Sequence, residues 1–202
     1  MEAIWQRFTG IKHVWEASGW PFAAAPGLNR ELLSYPGVRI VALVRRNYFR
    51  RFISNFICRQ INYWIGAKEE FEYRVSRLQF KPLDPKRVRD AILHDAEAVS
   101  AWLSYMDTHQ ISAYKIVYED FFRPEATPLQ RYQSVEGLLS FLGYSAINMK
   151  LFEERFACNY KPDLYQWASM ELYRKIPNAD ELERTIGCDK TGWLFKESEA
   201  RQ

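Results

Sequence analysis

Apolar positions along this chain follow two different periods, and the change from one to the other at residue 47 is its clearest signal. Ile40-Val41-Ala42-Leu43-Val44 is an unbroken apolar run, the pattern of a strand buried on both faces. It stops at Arg45-Arg46-Asn47. Beyond it, Phe49, Phe52, Ile53, Phe56 and Ile57 recur at helical spacing and form one stripe. Asn47 suits the N-cap of that helix. Ser54 falls off the stripe, on the side shared by Asn47, Arg51 and Cys58. A buried strand thus delivers an arginine to its C-terminal end, and the next helix turns a hydroxyl to the same side. In open parallel sheets that is the end where ligands bind.

The same patterning predicts two further strands, Gly10–Trp15 and Ala113–Tyr118, beside the strand Arg39–Val44. Helices are predicted over Leu28–Ser34, Asn47–Ile65, Arg131–Leu142 and Ala179–Ile186, with another near Tyr165–Arg174. Asp84-Pro85 opens the longest helix, with Asp84 as N-cap and proline in the first turn. Its stripe of Val88, Ile92, Ala96, Val99, Leu103 and Met106 carries it to His109. Gly143 ends the helix Arg131–Leu142. Ala67–Arg77 is charged and reads as an irregular surface segment. Strands that alternate with helices imply an α/β fold with a mostly parallel sheet, here as one domain over residues 1–202.

Composition narrows the chemistry. An aromatic content of 16% implies a packed globule. The net charge is +3, and part of the basic excess lies in Arg45, Arg46, Arg50 and Arg51. That suits an anionic nucleotide and falls short of a nucleic-acid footprint. Cys58, Cys158 and Cys188 lack metal-ligand spacing and read as free thiols of a reducing, cytoplasmic setting. His94 and His109 stand far apart on the long helix, so no metal site is expected. No apolar run reaches membrane-spanning length, and MEAIWQRFTG is not a signal peptide.

Arg46-Asn47, with Ser54 eight positions after the arginine, resembles the 3′-phosphate motif of sulfotransferases that use 3′-phosphoadenosine-5′-phosphosulfate (PAPS). Tyr48 stands where that family usually has proline. The trailing ISNFICRQINYW, with Arg59-Gln60 and Trp64, is more similar to the bacterial carbohydrate and glycolipid branch, the nodulation-factor and trehalose types. GIKHVW resembles that branch's second strand, with Lys12 and Trp15 matching. KIVYEDFFRPE (Lys115–Glu125), LLSFLGY (Leu138–Tyr144) and KIPNADELERTIG (Lys175–Gly187) resemble later family segments in the same order. The resemblance implies a three-layer α/β/α fold of the P-loop-NTPase-like type and PAPS as co-substrate. The expected acceptor is a hydroxyl of a carbohydrate or glycolipid. Arg46 and Ser54 would hold the nucleotide 3′-phosphate, a dianion well matched by a guanidinium fork and a hydroxyl.

The family's 5′-phosphosulfate loop, a strand followed by Ser-Gly-Thr or a close variant and a helix, has no counterpart in these 202 residues. Relative to the family, the chain looks N-terminally incomplete, without the first strand, loop and helix. Lys-Thr-Gly occurs in CDKTGWLFK (Cys188–Lys196), where it faintly resembles a C-terminal lysine-glycine-tryptophan segment that closes over the nucleotide. Transfer would need a base for the acceptor hydroxyl and cations for the departing phosphate. Lys12 is the candidate on the acceptor side. His13 is the candidate base, although it comes one position early for the cytosolic pattern and would point to the other strand face. The missing loop supports a second reading, a non-catalytic scaffold that binds a nucleotide or partner; a third, a P-loop-type kinase relative, is disfavoured by the same missing loop. The loss of a first strand also predicts an open sheet edge beside Ile40, Ala42 and Val44, available for self-association.

Overall fold

The structure, a computed structural model, describes residues 26–64, 67–121, 126–145, 147–154 and 170–196. The strand expected at Gly10–Trp15, and with it Lys12 and His13, lies outside these residues. In chain order the described elements are α1 (Pro26–Ser34), β1 (Ile40–Val44), α2 (Tyr48–Ile61), α3 (Lys68–Ser76), α4 (Pro85–Thr108) and β2 (Ala113–Val117). They continue as α5 (Tyr118–Phe121), α6 (Pro128–Leu142), α7 (Met149–Phe152), α8 (Met170–Tyr173) and α9 (Ala179–Ile186). The molecule is a mostly helical α/β protein with a small parallel sheet in which β1 pairs with β2.

Two compact units are distinguished, Met1–Ala42 with His94–Lys115 and Leu43–Leu93 with Ile116–Gln202. In the first, Leu32, Ala42, Val99 and Met106 are buried. The second holds a core built around α2. Phe49, Ile53, Ile57 and Ile61 recur every four residues and are all buried in that core. They meet Phe71 and Val75 from α3, Val88 and Ile92 from the start of α4, and Leu182 and Ile186 from α9. Phe52 and Phe56 flank the deep row and are only partly buried against it.

Local signals account for the element ends. Asp84 Oδ1 accepts from the amides of Lys86 at 2.9 Å and Arg87 at 3.4 Å, which starts α4. Asn178 pairs with the backbone of Leu83 in both directions, accepting at 2.9 Å and donating at 2.7 Å, and so fixes the approach to that helix. Thr127 and Gln130 form a reciprocal capping box at the start of α6. Gly143 closes α6 with a left-handed φ of 83°.

Two expectations need correction. Ala67–Arg77 is not irregular, because Lys68–Ser76 forms a helix. Its charge hides the fact that Phe71 and Val75, four apart, share one face and sink into the core. The charges themselves support the helix through pairs at i and i+4, Arg74 with Glu70 at 2.6 Å and Lys68 with Glu72 at 3.8 Å. Nor is β1 buried on both faces. Ala42 and Val44 are buried, whereas Val41 and Leu43 are 39% and 57% exposed. Alternation sends these two to the opposite face, so the apolar exposure falls on them rather than on Ile40, Ala42 and Val44.

The core assignment gives a direct stability contrast. Ile53→Ala, at a fully buried position, is expected to lower stability by about 2–5 kcal/mol in urea unfolding. Leu43→Ser, on the open face of β1, should change it by no more than about 0.5 kcal/mol. Equal effects would place the core wrongly.

Candidate functional site

The end of β1 and the start of α2 are joined through Asn47. Its side-chain oxygen accepts from the Arg50 amide at 2.9 Å and caps α2, as its residue type predicts. Its side-chain amide donates to the Trp193 carbonyl at 2.7 Å. Its own backbone N–H donates to Glu119 Oε1 at 3.1 Å, and the preceding N–H of Arg46 donates to Glu119 Oε2 at 2.9 Å. Glu119 lies on α5, immediately after β2. One carboxylate therefore spans two successive amides at the strand end. Phe49 N–H, another donor of the first helical turn, goes to the Thr191 carbonyl at 2.9 Å. With these donors occupied, an anion reaching the junction must be held by side chains.

Those side chains are basic and hydroxylic. Arg46 pairs through its guanidinium with Asp120, next to Glu119, and both side chains are more than half exposed. Arg45 turns differently. Its guanidinium lies 4.2 Å from the centre of the Tyr118 ring, and its Nε is 4.0 Å from Glu119 Oε1. That Nε is buried and makes no hydrogen bond among the described residues. Ser54 Oγ lies 3.1 Å from the hydroxyl of Tyr173, a buried residue of α8. Burial holds the Tyr173 phenol above its ordinary pKa, while the bond to Ser54 and the charges of Arg45 and Arg50 pull the other way. Cys58 is a half-buried free thiol whose pKa is also raised by burial.

The C-terminal segment Cys188–Lys196 lies directly on this junction. Gly192 adopts φ +85°, and a Cβ there would come within 2.8 Å of Asn47 Cα. Only glycine permits both that conformation and that approach. Thr191 is buried and donates from Oγ1 to the Ile186 carbonyl at 2.6 Å. Arg50 Nε donates to the Leu194 carbonyl at 3.0 Å. Glu183 of α9 is buried and takes three successive amides, Leu194 at 2.7 Å, Phe195 at 3.2 Å and Lys196 at 3.3 Å. Lys196 Nζ stands 4.9 Å from the Trp193 ring.

The structure gives Arg46 and Ser54, the two phosphate candidates, different partners: Asp120 for one and Tyr173 for the other. The arginine charges that act on the Ser54–Tyr173 pair are those of Arg45 and Arg50. Tyr173 and Glu183 were not picked out in the sequence, and Arg50 only as part of the basic excess. Glu183 had a visible signal, because it shares the face of Ala179, Leu182 and Ile186 and so interrupts an apolar row. Tyr173 had none, since its role depends on α8 reaching α2. Among the described residues no group of three or more histidine, cysteine or acidic side chains is placed to hold a metal. None of the helices there is long and apolar enough to cross a membrane. No family model, curated protein or solved structure matches the chain.

The close seat of Gly192 is testable. Gly192→Ala forces an L-residue into the left-handed region, worth about 1–2 kcal/mol on its own, and adds the contact with Asn47. Thermal unfolding should show at least that loss. An unchanged transition would mean that the segment does not rest on Asn47.

Proposed function

We propose that this chain is a sulfotransferase-like domain that binds PAPS, or its product 3′,5′-adenosine bisphosphate, at the junction of β1 and α2. Its fold would be the three-layer P-loop-like arrangement. The acceptor would be a hydroxyl of a carbohydrate or glycolipid. One observation carries this proposal. The junction closes its own backbone donors, and two of its arginines, Arg45 and Arg50, act on Tyr173, the partner of Ser54. A phosphate held there is held by guanidinium and hydroxyl groups, the type of site that the Arg46–Ser54 spacing resembles. The seat of Gly192 on Asn47 adds support, because it brings the Lys-Thr-Gly-Trp segment to the same junction. Cys58 and Cys188 are free, in keeping with a reducing cytoplasmic setting.

Transfer would proceed in line, with a base taking the acceptor proton and cations stabilising the departing phosphate. Lys12 and His13 remain the proposed acceptor-side residues. The scaffold reading is favoured by a separate observation. The sequence has no phosphosulfate loop, and one donor of such a loop is typically worth about 10²–10³ in rate. Binding without efficient turnover is therefore the expected behaviour of this chain.

Calorimetry with 3′,5′-adenosine bisphosphate and 5′-adenosine monophosphate, beside a labelled-sulfate assay, separates these readings. The bisphosphate should bind more tightly, and Ser54→Ala should weaken it by about 1.5–3 kcal/mol through loss of a hydrogen bond to a charged group. Sulfate transfer should be slow or undetectable. Equal affinity for the two nucleotides would reject the 3′-phosphate site, and rapid turnover would reject the scaffold reading.

A further inference from the structure

Two adjacent arginines follow β1, and their surroundings differ in ways that decide which of them can meet an anion at Ser54. Arg46 has a carboxylate of its own, Asp120, and lies with it in solvent. Its backbone N–H is also committed, to Glu119. Arg45 stacks on Tyr118, and its ion pair with Glu119 is long, outside hydrogen-bond reach. Glu119 Oε1 is 4.0 Å from its Nε, and both oxygens of Glu119 already accept amide N–H groups. The Arg45 side chain is 30% exposed, so it is open to a ligand from outside, while its Nε is buried without an acceptor. A buried donor without an acceptor is rare in folded proteins and calls for a partner.

The electrostatics point the same way. The charges of Arg45 and Arg50 both act on the Tyr173 phenol, and that of Arg46 is not among the influences on it. Arg50 is already engaged with the carbonyl of Leu194. Arg45 is thus a cation whose charge acts on the hydroxyl pair and whose Nε has no hydrogen-bond acceptor among the described residues. All of these groups lie in one compact unit, Leu43–Leu93 with Ile116–Gln202.

We infer that Arg45, rather than Arg46, is the phosphomonoester-binding arginine of this chain, that Ser54 is its hydroxyl partner, and that Tyr173 positions Ser54. The inference rests on the nucleotide-binding proposal for the ligand's identity and on the structure for the residues. Tyr173, kept protonated by burial, shares a hydrogen bond of 3.1 Å with Ser54 Oγ, and in the proposed site the phenol is its donor. The serine proton is then free to point at a phosphate oxygen. Arg46 stands outside the proposed site, in an exposed pair with Asp120 of α5.

Calorimetry on the full chain with two probes, 3′,5′-adenosine bisphosphate and inorganic phosphate, tests this. Arg45→Gln should weaken bisphosphate binding by about 10–100-fold, the range for a lost charge-assisted hydrogen bond. Arg46→Gln should change it less than about threefold, as for an exposed ion pair outside the site. Tyr173→Phe should weaken it by about 3–10-fold, as for a neutral hydrogen bond. Salt dependence separates the two roles. It should become shallower in Arg45→Gln and stay unchanged in Tyr173→Phe. Arg45→Lys, which keeps the charge and the stacking stem, covers the case in which Arg45→Gln does not fold. It should retain the salt dependence and lose affinity through the missing fork. A larger loss from Arg46→Gln than from both Arg45 variants would overturn the inference and leave the nucleotide proposal standing. Arg45-dependent binding of inorganic phosphate, with no gain from the nucleoside, would support the inference and overturn the nucleotide proposal. Failure of the wild-type chain to bind either probe would overturn both.

Discussion

The structure around the candidate site depends on how the backbone donors at the end of β1 are satisfied. A strand that stops and turns into a helix leaves several N–H groups without a partner. Here Glu119 takes two of them, Asn47 takes a third with its own side chain, and the Thr191 carbonyl takes a fourth. Each partner comes from a different part of the chain. Closing the junction therefore fixes the end of β2, the start of α2 and the C-terminal segment against one another. The exposed pair of Arg46 and Asp120 adds little by itself, about 0–1 kcal/mol for such pairs. The carboxylate-to-amide bonds carry more, because they answer donors that would otherwise be stranded.

Glu183 repeats the device at the other end of the C-terminal segment, where its buried carboxylate gathers the amides of Leu194, Phe195 and Lys196. Between the two carboxylates, Gly192 lies against Asn47 with no room for a side chain. The chemical consequence is specific. The N-terminus of α2 is occupied by the protein's own acceptors, so it is not a backbone anion hole of the phosphate-loop type. What the proposed site would offer a ligand is a set of side chains: Arg45, Ser54 and the buried Tyr173 beside it. That set suits a phosphomonoester better than a transferring sulfuryl group, which gains from several preorganised donors at once.

Much of this was legible in the sequence where a residue's role is local. The apolar run, the change of period at Asn47, the caps at Asp84 and Gly143 and the span Ala179–Ile186 all follow from neighbours within a few positions. Roles that depend on distant chain segments were not legible. The charged stretch that became α3 hid two core residues spaced four apart. β1 looked buried on both faces because its composition says nothing about which face finds a cover. The site was half visible. Arg46 and Ser54 could be picked by spacing, but the partners that separate them, Asp120 and Tyr173, lie more than seventy and more than one hundred positions away. Glu119-Asp120 was visible as an acidic pair after a strand, and its division into an amide acceptor and an arginine partner emerges only from the fold.

The closed junction is the claim on which the site depends, and native-state hydrogen exchange reads it without any substitution. The amides of Arg46, Asn47, Phe49 and Arg50 each have an acceptor. They should therefore exchange slowly, with protection comparable to the interior of α2 around Ile53 and Ile57. Fast exchange at these four amides, with the interior of α2 still protected, would show an open strand end. It would contradict both the seat of the C-terminal segment and the side-chain character of the anion site.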